Sequence, residues 1–333
     1  MSGIPILITG ATGYIGAQLL HSLVGRFGSQ VRCRVAVRAG SDTAFLDGLP
    51  VEVVTADLHN PIAVIDAVKG ADTVFHCAGL IAYTGNYRHR LYDTNVVGTR
   101  NLVDACIAGN VRRLVATSSI AAIGIPVSGN GQEESNEQGT FDAWQRRNVY
   151  MESKHLAELE CQRGVAEGLD VVMVNPGVVI GRGDGQHAPD SSSNEVLRLI
   201  YNGKLPFCPD GATGFADVRD VARAHIAAWE QGKPGERYIV VGENMAFRKL
   251  FDTIASIPGS SVKKTVRVSK TAGMAAGAAG ELWSVLTGKP SFISIESIRA
   301  ASRQIRYSNR KSVQELGMVY TPLVETLKTI FIT

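Results

Sequence analysis

The sequence predicts an α/β protein with a doubly wound parallel sheet and a smaller, mostly helical C-terminal region. Two observations predict this fold. Short apolar runs without polar alternation recur in the first half of the chain, as expected of strands that are buried on both faces. Helical patterns separate these runs, and regular alternation of strands with helices is typical of parallel sheets.

The apolar runs predict the strands in order, and the periodic segments between them predict the helices. Strands are predicted over residues 4–9, 31–37, 51–55, 72–76, 113–117, 171–175 and 237–241. Helices are predicted over residues 14–24, 91–108, 148–167 and 217–230, whereas 181–194 has the Gly, Asp and Ser content of a loop. From residue 247 onward the segments are mostly helical.

Composition excludes several classes of protein. The 333 residues carry a net charge of only +3, which gives no reason to expect a nucleic-acid partner. Five cysteines, an odd number without a CxxC pair, predict a reduced cytoplasmic protein. The histidines do not group with cysteines or carboxylates at metal-ligand spacings, so no metal site is expected. A secretory signal and an apolar stretch of spanning length are both missing from the sequence, so we expect no membrane-spanning segment.

A glycine-rich turn follows the first strand directly and opens a helix, in the sequence GATGYIG. In such a turn the first glycine permits the tight bend, the second lets the backbone approach a pyrophosphate, and the third lets the helix pack closely on the sheet. The N-terminus of the helix then attracts the phosphates. This context indicates a Rossmann dinucleotide site. The cofactor-binding residues predicted here are Gly10, Thr12, Gly13, Tyr14, Ile15 and Gly16.

The end of the second strand predicts which dinucleotide is bound. A carboxylate at this position would bind the ribose 2′-hydroxyl of NAD, but this chain has Arg38, followed by Ser41. A guanidinium and a hydroxyl suit a 2′-phosphate, so NADP(H) is favoured. Asp42 lies close by in the sequence and leaves NAD(H) as the alternative.

Two further strand ends are expected to contact the cofactor. Asp57 can accept a hydrogen bond from the adenine amino group, while Leu58 packs on the ring. The small residues Cys77, Ala78 and Gly79 leave room beside the fourth strand. The site is therefore predicted along the carboxyl edge of the sheet, where ligands bind in such folds.

A catalytic set is predicted from Ser119, Tyr150 and Lys154. Ser119 follows the fifth strand, and Tyr150 and Lys154 are four residues apart, on one face of a helix. A phenol with a pKa of about 10 is a poor acid–base group at neutral pH, so a nearby ammonium is needed to lower that pKa. The serine hydroxyl would hold the substrate oxygen. Alone, such a pair on a helix would be ordinary surface residues, but the dinucleotide motif upstream argues against that interpretation.

Together these motifs resemble the extended short-chain dehydrogenase/reductase family, the NAD-dependent epimerase/dehydratase superfamily. The resemblance is carried up to about residue 244 by TGATGYIG, DTNVVGTRNLVDAC, VATSS, YMESK, NPGVVIGRGD and FADVRDVARAH. Within the family, VAVRAGSD, PGVVIGRGD and GFADVRDVARAH are similar to dihydroflavonol-reductase-like and 3β-hydroxysteroid-dehydrogenase-like members.

The resemblance implies roles for individual residues. Tyr150 would transfer the proton, Lys154 would bind the nicotinamide ribose and tune Tyr150, and Ser119 would orient the substrate. Asn95 would hold the site together. The resemblance also implies that Pro176, Val178 and Val179 face the nicotinamide.

The same sequence divides into two predicted parts. Residues 1–176 plus 206–243 would form the dinucleotide-binding Rossmann domain. Residues 177–205 plus 244–333 would form the substrate-binding region. The whole would act as a monomer or a homodimer on a small-molecule substrate.

The predicted function is hydride transfer between NADPH and a carbonyl or secondary alcohol of a mostly apolar, uncharged small molecule. The alternative is a nucleotide-sugar epimerase or dehydratase with tightly bound NAD, and a third class is a non-catalytic dinucleotide sensor. The arginine that sugar-nucleotide enzymes place before the FADV segment is missing from this sequence. Cations in the expected pocket segments are Arg182, Arg198, Lys204 and Arg248. The apolar walls are predicted from Val178, Ile180, Leu197, Ile200, Tyr201, Phe207, Trp283, Leu286 and Phe292.

Two segments leave alternatives open. Residues 271–287 are rich in small residues and include Gly273 and Gly277, and basic residues precede them at Lys263, Lys264, Arg267 and Lys270. This pattern indicates either a closely packed helix over an apolar pocket or a weak contact with a membrane surface. The polar insert 124–147, with Glu133 and Glu134, is either a solvated loop or part of the substrate site.

Overall fold

The computed structural model describes residues 3–125, 134–142, 145–184, 189–263, 265–268, 270–287 and 294–332. The strands are β1 Ile4–Thr9, β2 Val31–Val37, β3 Val51–Thr55, β4 Thr73–His76, β5 Arg113–Thr117, β6 Glu134–Ser135, β7 Asp170–Pro176, β8 Val178–Ile180, β9 Phe207–Cys208, β10 Ala212–Asp217, β11 Arg237–Val240, β12 Glu243–Ala246, β13 Val266–Arg267 and β14 Arg306–Tyr307. The helices are α1 Tyr14–Phe27, α2 Pro61–Val68, α3 Arg88–Leu91, α4 Gly98–Ala108, α5 Val149–Ala166, α6 Ser192–Tyr201, α7 Val218–Gln231, α8 Phe247–Ala255, α9 Lys270–Thr287, α10 Ile295–Ala301, α11 Arg310–Leu316 and α12 Leu323–Phe331.

The main sheet confirms the predicted fold class. Within the described residues it has seven strands in the order β11-β7-β5-β4-β1-β2-β3, all parallel. The chain leaves β1 toward one edge through β2 and β3, and returns to β4 on the other side of β1. This reversal is the topological switch point where open α/β sheets bind ligands.

Helices cover both faces of this sheet. α1 and α7 pack together on one face, where their apolar residues join Val35, Val115 and Trp229 in one core cluster. α2, α4 and α5 pack on the other face around a second cluster. Four cysteines, Cys33, Cys106, Cys161 and Cys208, are buried, and all five in the chain are free.

Two predicted elements differ from the structure. The strand at residues 51–55 has the predicted bounds, but it is an edge strand and Val53 is 47% exposed, so it is not buried on both faces. The single helix predicted over residues 91–108 is interrupted. A π-helical turn over Tyr92–Val97 separates α3 from α4, a feature that hydrophobic spacing does not reveal.

The smaller region is built on a second sheet, in which β10 pairs with β8 in parallel and with β12 antiparallel. Buried residues of α6, α8 and α12 form a core around it. Residues 206–243 therefore contribute β11 to the large sheet and β10 to the small one. The division into two sequence ranges stays a prediction.

The small-residue segment forms helix α9, and its glycines allow a close contact with α10. A Cβ atom at Gly273 would lie 2.9 Å from Ile298 Cγ2, and one at Gly277 would lie 2.7 Å from the Ile295 nitrogen. This contact supports the interpretation as a closely packed helix. Lys264 lies outside the described residues. Among the residues that the structure describes, no helix is both long and apolar enough to cross a membrane.

Part of the polar insert is described. β6 pairs in parallel with β14, and the Glu134 carboxylate lies 3.6 Å from the guanidinium of Arg306. Glu134 is thus directed toward the C-terminal segment. Glu133 lies outside the described residues.

Candidate active site

The glycine turn lies at the carboxyl end of β1, and two of its glycines are required by close backbone contacts. Gly10 has a φ of 71°, and a Cβ atom there would lie 2.4 Å from the Ala78 nitrogen. A Cβ atom at Gly16 would lie 2.3 Å from the Gly10 oxygen. The first and third glycines therefore have the roles expected of the tight bend and of the close helix packing.

The N-terminus of α1 fits a dinucleotide pyrophosphate. Gly13 is the N-cap, with no side chain to cover the helix end, and the first turn contains no acidic residue. Thr12 is half-buried and Ile15 packs against the core. The Tyr14 hydroxyl donates to the Gly181 oxygen at 2.6 Å, which connects the turn to the segment that follows β8.

The second strand ends in an exposed Arg38, whose carbonyl accepts a hydrogen bond from the Ser41 N–H at 3.1 Å. Asp42 already has a local partner, because its carboxylate accepts from the Ala44 N–H at 3.0 Å. The end of β2 therefore presents an exposed guanidinium, that of Arg38.

The third and fourth strand ends also lie at this edge. Asp57 is exposed and its carboxylate accepts from the His59 N–H at 2.9 Å, while Leu58 packs against Gly98. Asn60, not Asp57, is the N-cap of α2. Contact of Asp57 and Leu58 with a bound adenine stays a prediction.

The segment Cys77-Ala78-Gly79 is held by Asn95, which lies in the π-helical turn. The Asn95 side chain accepts from the Leu80 N–H at 2.7 Å and donates to the Leu80 carbonyl at 3.0 Å. It also donates to the Ser153 hydroxyl on α5 at 3.0 Å. Asn95 thus positions the strand end against the helix that carries Tyr150 and Lys154.

The three predicted catalytic residues lie along β5 and α5. Tyr150 is in the first turn of α5, which Asn148 caps by accepting from the Tyr150 and Met151 N–H groups at 3.1 Å each. Tyr150 and Lys154 are each 8% exposed. Lys154 Nζ donates to the Thr117 carbonyl at 3.3 Å, close to Ser119 at the same strand end.

Burial dominates the pKa of Tyr150 in the protein without cofactor. It raises the pKa of the phenol, the neighbouring Tyr83 raises it further, and Ser119 lowers it. The structure therefore favours the protonated phenol, which is the form of a proton donor. The lowering by Lys154 and the positive nicotinamide concerns the complex with oxidised cofactor and stays a prediction.

Lys154 is balanced by a buried carboxylate that the sequence analysis missed. Burial lowers the pKa of Lys154, and the Glu158 carboxylate raises it in opposition. Glu158 is 2% exposed and accepts from Asn175 at 2.5 Å and from Arg237 at 3.0 Å. The i,i+4 spacing of Lys154 and Glu158 was the available signal for this pair.

A cavity of about 20 Å³ lies behind Lys154, which is room for about one water molecule. Its lining includes Ser118, Asn95 and Glu158. The Ser118 hydroxyl is buried and has no hydrogen-bond partner among the described residues. This serine faces the interior, whereas Ser119 is the one that interacts with Tyr150.

Tyr83 is a second residue that sequence reasoning missed. Its ring meets that of Tyr150 edge-on, with the centroids 5.6 Å apart. No spacing pattern marked it, because it lies in a loop distant in sequence from α5.

The residues predicted to face the nicotinamide lie at the end of β7 and in β8. Pro176 ends β7 in the core, and Val178 and Val179 are half-buried in β8.

The predicted substrate walls separate into two groups. Ile180, Leu197 and Ile200 belong to the buried core of the smaller region, with Val178 and Tyr201 packed against it. The other described members, Phe207, Trp283 and Leu286, are exposed. Phe292 lies outside the described residues.

The cations predicted for the pocket either lie beside a carboxylate on the surface or are exposed to solvent. Arg198 pairs with Asp190, and Arg248 lies 3.8 Å from Asp252. Arg182 and Lys204 are exposed. Three other arginines, Arg147, Arg299 and Arg303, line a cavity of about 390 Å³.

The family model of the NAD dependent epimerase/dehydratase family matches residues 6–242. The chain therefore belongs to this family and is an oxidoreductase of it, and the identification as an extended short-chain dehydrogenase/reductase is confirmed.

Among individual relatives, it is similar to sterol demethylase protein B of Methylococcus capsulatus, with 35% identity over 76% of this chain and 74% of the relative. It is 30% identical to a putative dihydroflavonol 4-reductase of Synechocystis, over 96% of this chain and 91% of that protein.

Solved structures share the whole fold. The crystal structure of gox2253 matches with a TM-score of 0.82 at 27% identity, covering 98% of this chain and 96% of that one. A nucleoside-diphosphate-sugar epimerase from Pseudomonas aeruginosa matches with a TM-score of 0.77 at 21% identity, covering the same shares. At that identity the second likeness shows the fold alone.

Proposed function

We propose that the protein transfers hydride between NADPH and a carbonyl or secondary alcohol of a small molecule with a mostly apolar body. The observation that carries the proposal is the buried Tyr150 phenol, whose pKa Ser119 lowers against the effect of burial and which lies one helical turn from Lys154. Burial keeps the phenol protonated, which suits the direction of reduction.

Each residue of the set has a distinct task. A bound nicotinamide dinucleotide supplies the hydride. Tyr150 donates its proton to the substrate oxygen, and Ser119 holds the same oxygen by a hydrogen bond. The Lys154 ammonium stabilises the phenolate that remains, and Glu158 keeps the lysine charged despite its burial.

The proposed preference for NADPH rests on the end of β2. Arg38 is exposed there, whereas the Asp42 carboxylate is engaged by a backbone N–H. A guanidinium binds a phosphate through paired, charge-assisted hydrogen bonds. The family as a whole binds NAD, and NAD(H) remains the alternative.

Reduction is favoured over sugar-nucleotide chemistry by the named relatives. Those at about 30% identity include proteins named dihydroflavonol reductase and cinnamoyl-CoA reductase. Epimerases appear among structures of lower identity, where only the fold is shared. The epimerase reaction would use the same three residues and therefore stays the second candidate.

The deciding experiment is a screen of ketones and aromatic or fused-ring carbonyl compounds with NADPH and NADH, run beside a panel of UDP-sugars. We expect NADPH oxidation with the carbonyl compounds and its loss in Tyr150→Phe. Turnover of a UDP-sugar without net cofactor consumption would contradict the proposal. Retention of NAD through purification would likewise favour the epimerase or dehydratase reaction.

We infer a cytoplasmic location, supported by the five free cysteines, four of which are buried as thiols. The assembly as a monomer or homodimer stays a prediction.

A further inference from the structure

A cavity of about 390 Å³ opens beside the catalytic helix, and its wall carries three arginines. Arg147 immediately precedes Asn148, the N-cap of α5, and both line the cavity. Arg299 and Arg303 come from α10 and the residues just after it. Glu296 is the acidic group among these lining residues.

The α10 residues of the lining share one face. Glu296, Arg299 and Ala300 have the i, i+3, i+4 spacing that places side chains together on a helix, and Arg303 follows the end of α10. Glu296 forms an ion pair with Arg299. The guanidinium of Arg147 forms no ion pair with any residue that the structure describes. The carboxylate of the cavity is therefore committed to one arginine.

The α10 wall of the cavity is held in place by α9. α10 packs on α9 through the close contacts at Gly273 and Gly277. α9 is fixed in turn by Ser284, which accepts from Asn86 at 3.2 Å. Ala300, which lines the cavity, also packs against the cluster of buried residues that contains Tyr150. The cavity therefore adjoins the cluster of buried residues to which Tyr150 belongs, and it lies at the N-cap of the helix that carries Tyr150.

We propose that this cavity binds an anionic group, a carboxylate or a phosphate, carried by the same substrate whose oxygen Tyr150 protonates. Guanidinium groups bind both anions in bidentate geometry, and Arg147 and Arg299 approach from two different elements. The proposal rests on the proposed function, and it departs from the sequence-based expectation of an uncharged substrate. The substrate would have an apolar body with one anionic end.

The test uses three probes that share one apolar body: 2-naphthoate, 2-naphthyl phosphate and the neutral methyl 2-naphthoate. Calorimetry with NADP present measures their binding to the full-length protein. We expect at least one anion to bind about tenfold or more tightly than the ester, as charge-assisted hydrogen bonds allow. The tighter of the two anions distinguishes a carboxylate from a phosphate.

Substitution of individual arginines tests whether the cavity causes the preference for anionic probes. Arg147→Gln and Arg299→Gln should abolish the preference for the anion and leave binding of the ester and of NADP unchanged. Arg146→Gln is the matched control, because Arg146 is exposed on the same turn but does not line the cavity. Since Arg147 is exposed, its loss does not threaten folding, and thermal melting checks this.

Three results would overturn the inference. The ester could bind as tightly as both anions, or Arg146→Gln could weaken the anions as much as Arg147→Gln. UDP, included as a fourth probe, could bind more tightly than either naphthyl anion, which would contradict the apolar body. Because binding needs no turnover, Tyr150→Phe should keep the anion preference. A failed carbonyl screen with an intact preference would therefore reject only the proposed reaction.

Discussion

The cofactor side and the substrate side of this protein are built in different ways. On the cofactor side the site lies on the ends of parallel strands, and contacts such as Gly16 against the Gly10 carbonyl leave no room for a side chain. On the substrate side short strands support helices with large exposed apolar residues, among them Trp283 at 62% and Leu286 at 74% exposure.

This difference separates chemistry from selectivity. The backbone and the buried polar groups of the large sheet fix the position of Tyr150 and Lys154. Exposed side chains of α9, such as Trp283 and Leu286, can change with little cost to the fold. We therefore expect substitutions on the two sides to affect different measured quantities.

Tyr150→Phe should have the largest effect on turnover. General acid–base groups contribute roughly 10²–10⁴-fold, so the rate should fall by at least that order while cofactor affinity stays near wild type. The matched control is Tyr83→Phe, which removes a hydroxyl from the ring that packs on Tyr150. Steady-state kinetics and cofactor titration measure both. Equal losses in the two variants would indicate a packing role for Tyr150.

Gly16→Ala should disrupt the cofactor side, whereas Gly25→Ala in the same helix should not. A Cβ atom at Gly16 would lie 2.3 Å from the Gly10 oxygen, while one at Gly25 meets nothing within 4 Å. We expect a loss of about 1–3 kcal/mol in unfolding free energy at Gly16, with weakened cofactor binding. At Gly25 we expect a gain of roughly 0.5–1 kcal/mol. Urea unfolding compares them, and similar stabilities would show that the turn is not close-packed.

Arg38→Asp should change cofactor preference by about tenfold or more in favour of NADH, the scale of one charge-assisted hydrogen bond. The ratio of kcat/KM for the two cofactors measures the change. Activity at saturating cofactor should persist, because Arg38 lies at the end of β2, away from Tyr150. An unchanged ratio would mean that a group other than Arg38 distinguishes the 2′-phosphate from the 2′-hydroxyl of the adenosine ribose.

A further expected effect is a pH dependence of stability from two buried histidines. Burial lowers the pKa of His76 to about 3 and that of His225 to about 4. Below the unfolded pKa of about 6.5, both histidines bind a proton in the unfolded chain but remain neutral in the folded chain. The free energy of unfolding therefore falls as the pH drops from about 6.5 toward 4. Each histidine contributes about 1.4 kcal/mol per pH unit.

Urea unfolding between pH 7.5 and 5 measures this slope. His225→Gln should reduce it by the share of one histidine, even if the variant is less stable throughout. His225 Nδ1 donates to the Val221 carbonyl at 2.7 Å, so the neutral ring is hydrogen-bonded in the fold. A slope that is unchanged in the variant would contradict burial of this ring as the cause.

The sequence was most informative where the backbone itself makes the site. Glycine spacing and apolar runs predicted the turn at Gly10–Gly16, the strand ends and the family, because these follow from local geometry. It was least informative where distant segments meet. Tyr83 meets Tyr150 only through tertiary packing, as Arg299 meets Arg147 at the cavity, and neither Tyr83 nor Arg299 has a local pattern. The burial that raises the pKa of Tyr150 is likewise a property of the whole fold.

The buried cysteines make the two sides separately observable by chemical labelling. Burial raises the pKa of Cys33 to about 11 and of Cys161 to about 12, and a thiol reacts as its thiolate, so labelling of these groups requires local opening. Cys33 and Cys161 lie in the two cores that flank the large sheet, and Cys208 lies in the core of the smaller region. The rate at which each thiol is modified therefore reports how often its own part of the molecule opens, without any added probe.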